Sequence, residues 1–181
     1  MNLPNILTLF RLILIPVFIL LFFSSVPNNL FYSIFVFLVA GLTDVLDGYL
    51  ARKYSLITKL GTVLDPLADK LMILTVLSCL VIKSYISLWI LIIISIKEVS
   101  MIFFGIILYN KNTVIPSNKF GKLTTILFYL SIFTLTVSIK LGTYLIYLSV
   151  ISALIAFANY FTLYYKNKQL LGHNDKNRKE G

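Results

Sequence analysis

Cysteine and histidine are almost missing from this chain: its 181 residues hold one of each. The lone Cys79, set in an apolar run, excludes an internal disulfide and argues against a thiolate metal cluster. It reads as a small buried hydrophobe. His173 lies in a polar tail and reads as solvated. Charge is scarce too: Asp, Glu, Lys and Arg together make up 13% of the chain, about half the soluble norm. Only seven of them are acidic. No repeat, low-complexity tract or long linker divides the chain, so it reads as one domain.

What is abundant is apolar. Hydrophobic residues reach 59% and mean hydropathy is +0.92. Six runs approach or exceed the roughly 20 residues that span a hydrocarbon core. They are Leu3–Phe23, Leu30–Leu50, Thr62–Ile82, Tyr85–Tyr109, Leu123–Ile139 and Thr143–Tyr165. The expected fold is an all-α integral membrane protein with six transmembrane helices. Residues 1–165 form the membrane domain, and 166–181 a polar basic tail that frays at its end.

The net charge of +9 does not point to nucleic acid, because the cations punctuate apolar runs rather than cluster on a soluble module. They suit an anionic membrane surface and phosphate-bearing ligands. Their placement also predicts orientation. Arg52, Lys53 and Lys59 fall in one inter-helix segment, and Lys111, Lys119 and Lys122 in another. The tail holds Lys166, Lys168, Lys176, Arg178 and Lys179. The alternate segments hold only Lys83 and Lys140. The positive-inside rule then puts both termini in the cytoplasm of a multi-pass cell-membrane protein.

The first run lacks a basic lead and a small-residue cleavage site, so it reads as retained rather than as a signal peptide. Asn5, Thr8 and Arg11 recur every third residue and share a face. That stripe either rests among lipid headgroups or borders a site.

Five of the seven acidic residues sit inside apolar runs, four of them between Asp44 and Asp69. Each carboxylate in mid-membrane costs about 2.5–3.5 kcal/mol, so four uncompensated ones would cost roughly 10 kcal/mol. Asp44 and Asp47 are three apart on the second helix, followed by the small residues Gly48 and Ala51 and then Arg52. Gly61, Asp65 and Asp69 are spaced by four on the third. The short connection makes the two helices antiparallel neighbours, and their carboxylates can meet at one depth in the cytoplasmic half. Carboxylates without His or Cys select Mg²⁺, Mn²⁺ or Ca²⁺. Four could hold two ions for phosphoryl chemistry. Ion pairs with Arg52, Lys59, Lys70 or Lys97, or a cation pathway through a transporter, are the competing readings.

The pattern D-x-x-D-G-x-x-A-R, eight residues, then G-x-x-x-D-x-x-x-D resembles the motif of the CDP-alcohol phosphatidyltransferases. It is filled by Asp44, Asp47, Gly48, Ala51, Arg52, Gly61, Asp65 and Asp69. The opening NLPNILTLFRLILIPVF is similar to the start of bacterial phosphatidylglycerophosphate synthases and the related cardiolipin synthases. The resemblance implies transfer of a phosphatidyl group from CDP-diacylglycerol to an alcohol, with release of CMP. It implies Asp44, Asp47, Asp65 and Asp69 at a Mg²⁺ or Mn²⁺ site of two ions, with Asp69 as general base. Gly48, Ala51, Arg52 and Gly61 would receive the CDP diphosphate. A homodimer in the bilayer is also implied.

Glycerol 3-phosphate is the expected acceptor, held by Lys97, Lys119 and Lys122. Two positions depart from the synthase pattern. Gly105 stands where an arginine is usual, and Thr124 replaces the second lysine of G-K-x-K-T. Those departures keep phosphatidylglycerol, the cardiolipin synthase acceptor, as the alternative. Lys97 and Glu98 are adjacent, so they point to different faces and need not pair.

Overall fold

A computed structural model describes residues 3–54, 59–110 and 119–177. Six α-helices carry most of them: α1 (Leu3–Phe22), α2 (Asn29–Lys53), α3 (Lys59–Ile82), α4 (Leu88–Asn110), α5 (Lys119–Thr134) and α6 (Ile139–Asn177). Among the described residues, three helices contain stretches long and apolar enough to cross a bilayer: Asn5–Phe22, Asn29–Ala51 and Ile139–Asn159. The apolar stretch of α5, Leu123–Thr134, is shorter. α6 runs on past Tyr165 to Asn177, through the helix-favouring segment KNKQLL.

The turns have local causes. Asn28 ends the VPNN turn in the left-handed region (φ 60°), where Asn is better tolerated than most residues. α3 stops at a Schellman arrangement. The Tyr85 N–H donates to Leu80 O (2.9 Å) and the Ser84 N–H to Val81 O (2.8 Å), with Ser84 at φ 60° where glycine is usual.

The chief packing pairs are α1 with α2, α5 with α6, and α1 with α3. α2 and α3 touch each other far less. This corrects the expectation of α2 and α3 as direct neighbours: α1 is the main partner of both. The reason lies in the buried stripe of α1. Thr8 and Arg11 form its first half, and Leu14, Phe18 and Phe22 its second. α2 carries the reverse order, with Ile34, Phe37 and Ala40 buried before Thr43 and Asp47. Antiparallel pairing therefore sets polar against polar and apolar against apolar.

The apolar half is the core. Phe18 stacks on Phe22, and Phe22 meets the edge of Tyr85. Met72, Val76, Leu77 and Leu80 of α3 complete this layer. Phe37 links it to α5, with its ring stacked on Tyr129 at 4.7 Å between centroids. Outward-facing residues such as Leu20, Trp89 and Val137 are exposed and apolar. A surface this apolar needs lipid rather than water beside it.

Candidate active site

The polar half of the α1 stripe lies on the acidic faces of α2 and α3. Arg11, only 1% exposed, reaches Asp44 Oδ1 through Nη1 (2.7 Å) and Asp47 Oδ2 through Nη2 (2.6 Å). One planar guanidinium thus bridges two carboxylates three residues apart on one helix, a reach suited to its forked donors. The Thr8 hydroxyl donates to Asp65 Oδ1, tying α1 to α3 at the same end. Asp69 lies one turn deeper, within electrostatic reach of Asp44 and Arg11. Asp47 senses both Asp44 and Asp65. Arg11 thus gathers Asp44 and Asp47, and Thr8 holds Asp65 on the facing helix, with Asp69 in electrostatic reach of Asp44.

A second buried cluster lies alongside. Glu98 of α4, 4% exposed, receives Lys70 Nζ of α3 on Oε2 (2.5 Å) and Lys97 Nζ on Oε1 (2.6 Å). This corrects the expectation that Lys97 and Glu98 face apart. The lysine stem folds back along the helix, because a buried carboxylate needs both cations. It also removes Lys70 and Lys97 as direct partners of the aspartates. Among the described side chains, one guanidinium then pairs directly with two of the four carboxylates, Asp44 and Asp47.

Chain-wide comparison decides the family. Residues 1–157 match the model for CDP-alcohol phosphatidyltransferases. The chain belongs to the CDP-alcohol phosphatidyltransferase family. It is 36% identical to the CDP-diacylglycerol–glycerol-3-phosphate 3-phosphatidyltransferase of Wigglesworthia glossinidia brevipalpis, over 92% of this chain and 97% of that one. A protein of the same name from Escherichia coli K12 is 44% identical over 49% of this chain and 48% of its own. A third, from Haemophilus influenzae, is 46% identical over 44% of this chain and 43% of its own.

As a CDP-alcohol phosphatidyltransferase, the chain is an enzyme of a family that uses divalent metal. Its donor chemistry fits such an ion: the oxygens are hard carboxylates, and no imidazole or thiolate stands among the clustered groups. Arg11 already holds a positive charge between two of them. Yet among the described residues no three carboxylates are drawn together tightly enough to grip a metal ion.

Other motif positions divide by what is described. Gly48 and Ala51 are half-buried on α2, beside Asp47 and one turn beyond it. Arg52, Gly61, Lys119 and Lys122 fall on helices, but their side chains lie outside the described residues. Thr124, where this phosphatidyltransferase departs from G-K-x-K-T, shares a hydrogen bond with Ser152 of α6 (3.0 Å).

Tyr129 was not singled out by the sequence. It lies within electrostatic reach of Asp69, Asp44 and Arg11. Its ring fits only because Gly41 has no side chain: a Cβ there would stand 2.5 Å from its hydroxyl. A glycine one turn before the first motif aspartate was the available signal.

Proposed function

We propose that this enzyme transfers the phosphatidyl group of CDP-diacylglycerol to glycerol 3-phosphate, releasing CMP and forming phosphatidylglycerophosphate. The observation that supports the reading is the buried polar face where Arg11 of α1 pairs with Asp44 and Asp47 of α2 and Thr8 bonds Asp65 of α3, with Asp69 in electrostatic reach of Asp44. The name shared by the relatives favours glycerol 3-phosphate over phosphatidylglycerol as acceptor.

Asp44, Asp47, Asp65 and Asp69 would hold the Mg²⁺ or Mn²⁺ ions. A divalent ion held by them would supply positive charge to the diphosphate as CMP departs. Asp69 takes the proton of the acceptor hydroxyl as that oxygen attacks the β-phosphorus, which carries the diacylglycerol. Arg52, Gly48, Ala51 and Gly61 line the approach of the nucleotide diphosphate. Lys97, with Lys119 and Lys122, offers charge to the acceptor phosphate, and Glu98 fixes where the Lys97 ammonium sits.

All six helices cross the bilayer in this reading, with both termini and the carboxylates toward the cytoplasm. That lets the lipid enter sideways and CMP leave into water. A second copy of the chain completes a homodimer.

One assay tests the activity. The purified protein receives CDP-diacylglycerol and Mg²⁺ or Mn²⁺, with glycerol 3-phosphate, phosphatidylglycerol, inositol phosphate or serine as acceptor. Glycerol 3-phosphate is expected to drive CMP release, and excess chelator to stop it. Preference for phosphatidylglycerol would assign the cardiolipin synthase reaction instead. Turnover indifferent to chelator would remove the metal from the reading.

A further inference from the structure

Two facts about Arg11 stand together. It occupies one oxygen each of Asp44 and Asp47, and among the described residues no group of three acidic side chains is placed to hold an ion. Its head is buried, and among the described residues its Nε–H has no hydrogen-bond partner. The guanidinium is therefore held chiefly by the two aspartates. A charge held this way is stable while those carboxylates lack another cation, and becomes redundant once they have one.

We propose that Arg11 is a displaceable counter-cation, which neutralises Asp44 and Asp47 in the metal-free protein and releases at least one of them when a divalent ion loads. The proposal rests on the metal reading above. Its logic is competition. Oxygens held by the guanidinium are withheld from the ion, so apparent metal affinity falls by the fraction of protein in the Arg11-bound arrangement. Arg11 also offsets the repulsion between Asp44 and Asp47, two like charges three residues apart on one helix. The freed guanidinium would then face the site with its forked donors, a match for phosphate oxygens.

The test measures metal binding rather than turnover. The full chain in detergent micelles is stripped with chelator and titrated with Mn²⁺, and free Mn²⁺ is read by electron paramagnetic resonance. Arg11→Met is expected to bind Mn²⁺ at least about ten-fold tighter than the unchanged protein, a typical scale for coupling between two ligands. Arg11→Lys, which keeps the charge but not the fork, should fall between them. Melting temperature gives a second readout. Arg11→Met should melt lower without metal, and Mn²⁺ should raise its melting point by more than it raises that of the unchanged protein.

Equal or weaker Mn²⁺ binding by Arg11→Met, while the unchanged protein binds, overturns the proposal and leaves the metal reading intact. If Arg11→Met cannot be purified, Arg11→Lys carries the same comparison, and affinity no tighter than that of the unchanged protein overturns it. Failure of the unchanged protein to take up Mn²⁺, or uptake undiminished in Asp44→Asn and Asp69→Asn, overturns the metal reading and this inference with it.

Discussion

At the scale of single residues, the side chains that matter are charges removed from water. Asp69→Asn keeps the shape of the side chain but removes its basicity and most of its hold on a cation. CMP release should fall by at least about 100-fold, the lower range for a lost general base. Helical circular dichroism should stay unchanged, and near-normal turnover would refute the role of base. Glu98 works differently. Glu98→Gln leaves Lys70 and Lys97 close together without their shared anion, so the cost should be about 3 kcal/mol, typical of a broken buried pair. Thermal melting in detergent checks this, with Glu98→Asp as the partial rescue. The aspartates were legible from the sequence because carboxylates in apolar runs demand a reason. The partners of Glu98 were not, since a lysine stem can fold toward either face.

At the scale of elements, the site depends on α1. Its stripe switches from Thr8 and Arg11 to Leu14, Phe18 and Phe22 midway along one face. The spacing of Asn5, Thr8 and Arg11 was visible in the sequence, but headgroups and a neighbouring acidic face satisfy such a stripe equally well. Packing against α2 and α3 decided between them. Close approach also fixes α2 against α5. At Gly41 a methyl group would stand 2.4 Å from Tyr129 Cε1, so Gly41→Ala must push the ring off Phe37. The expected destabilisation is about 1–3 kcal/mol, the usual range for overpacking. Tyr129→Phe removes the hydroxyl, one of the atoms in the clash, and should recover part of the loss in the double variant.

At the scale of the whole molecule, the arrangement is apolar outside and polar within. Thr8, Arg11, Ser33, Asp47, Glu98, Ser131 and Ser149 are buried, while dozens of large apolar side chains face outward. Orientation in the membrane is open to direct test. The sole cysteine, Cys79, is buried and should give no background with a membrane-impermeant maleimide. Lys53 and Lys83 are exposed at opposite ends of the bundle. In intact cells, Lys83→Cys should label from outside and Lys53→Cys only after the cells are opened. The reverse pattern would invert the topology and move the site out of the cytoplasm.

The sequence alone determined the helical membrane class and which carboxylates fall inside apolar runs. Both follow from local quantities: the length of an apolar run, and the cost of a charge inside it. Only the tertiary structure decided which cation answers Asp44 and Asp47, that α1 is the shared partner of α2 and α3, and that Tyr129 packs against Gly41 within electrostatic reach of Asp69. Those depend on which faces meet across long stretches of chain, and a charge buried in lipid accepts whichever opposite charge the packing brings within reach.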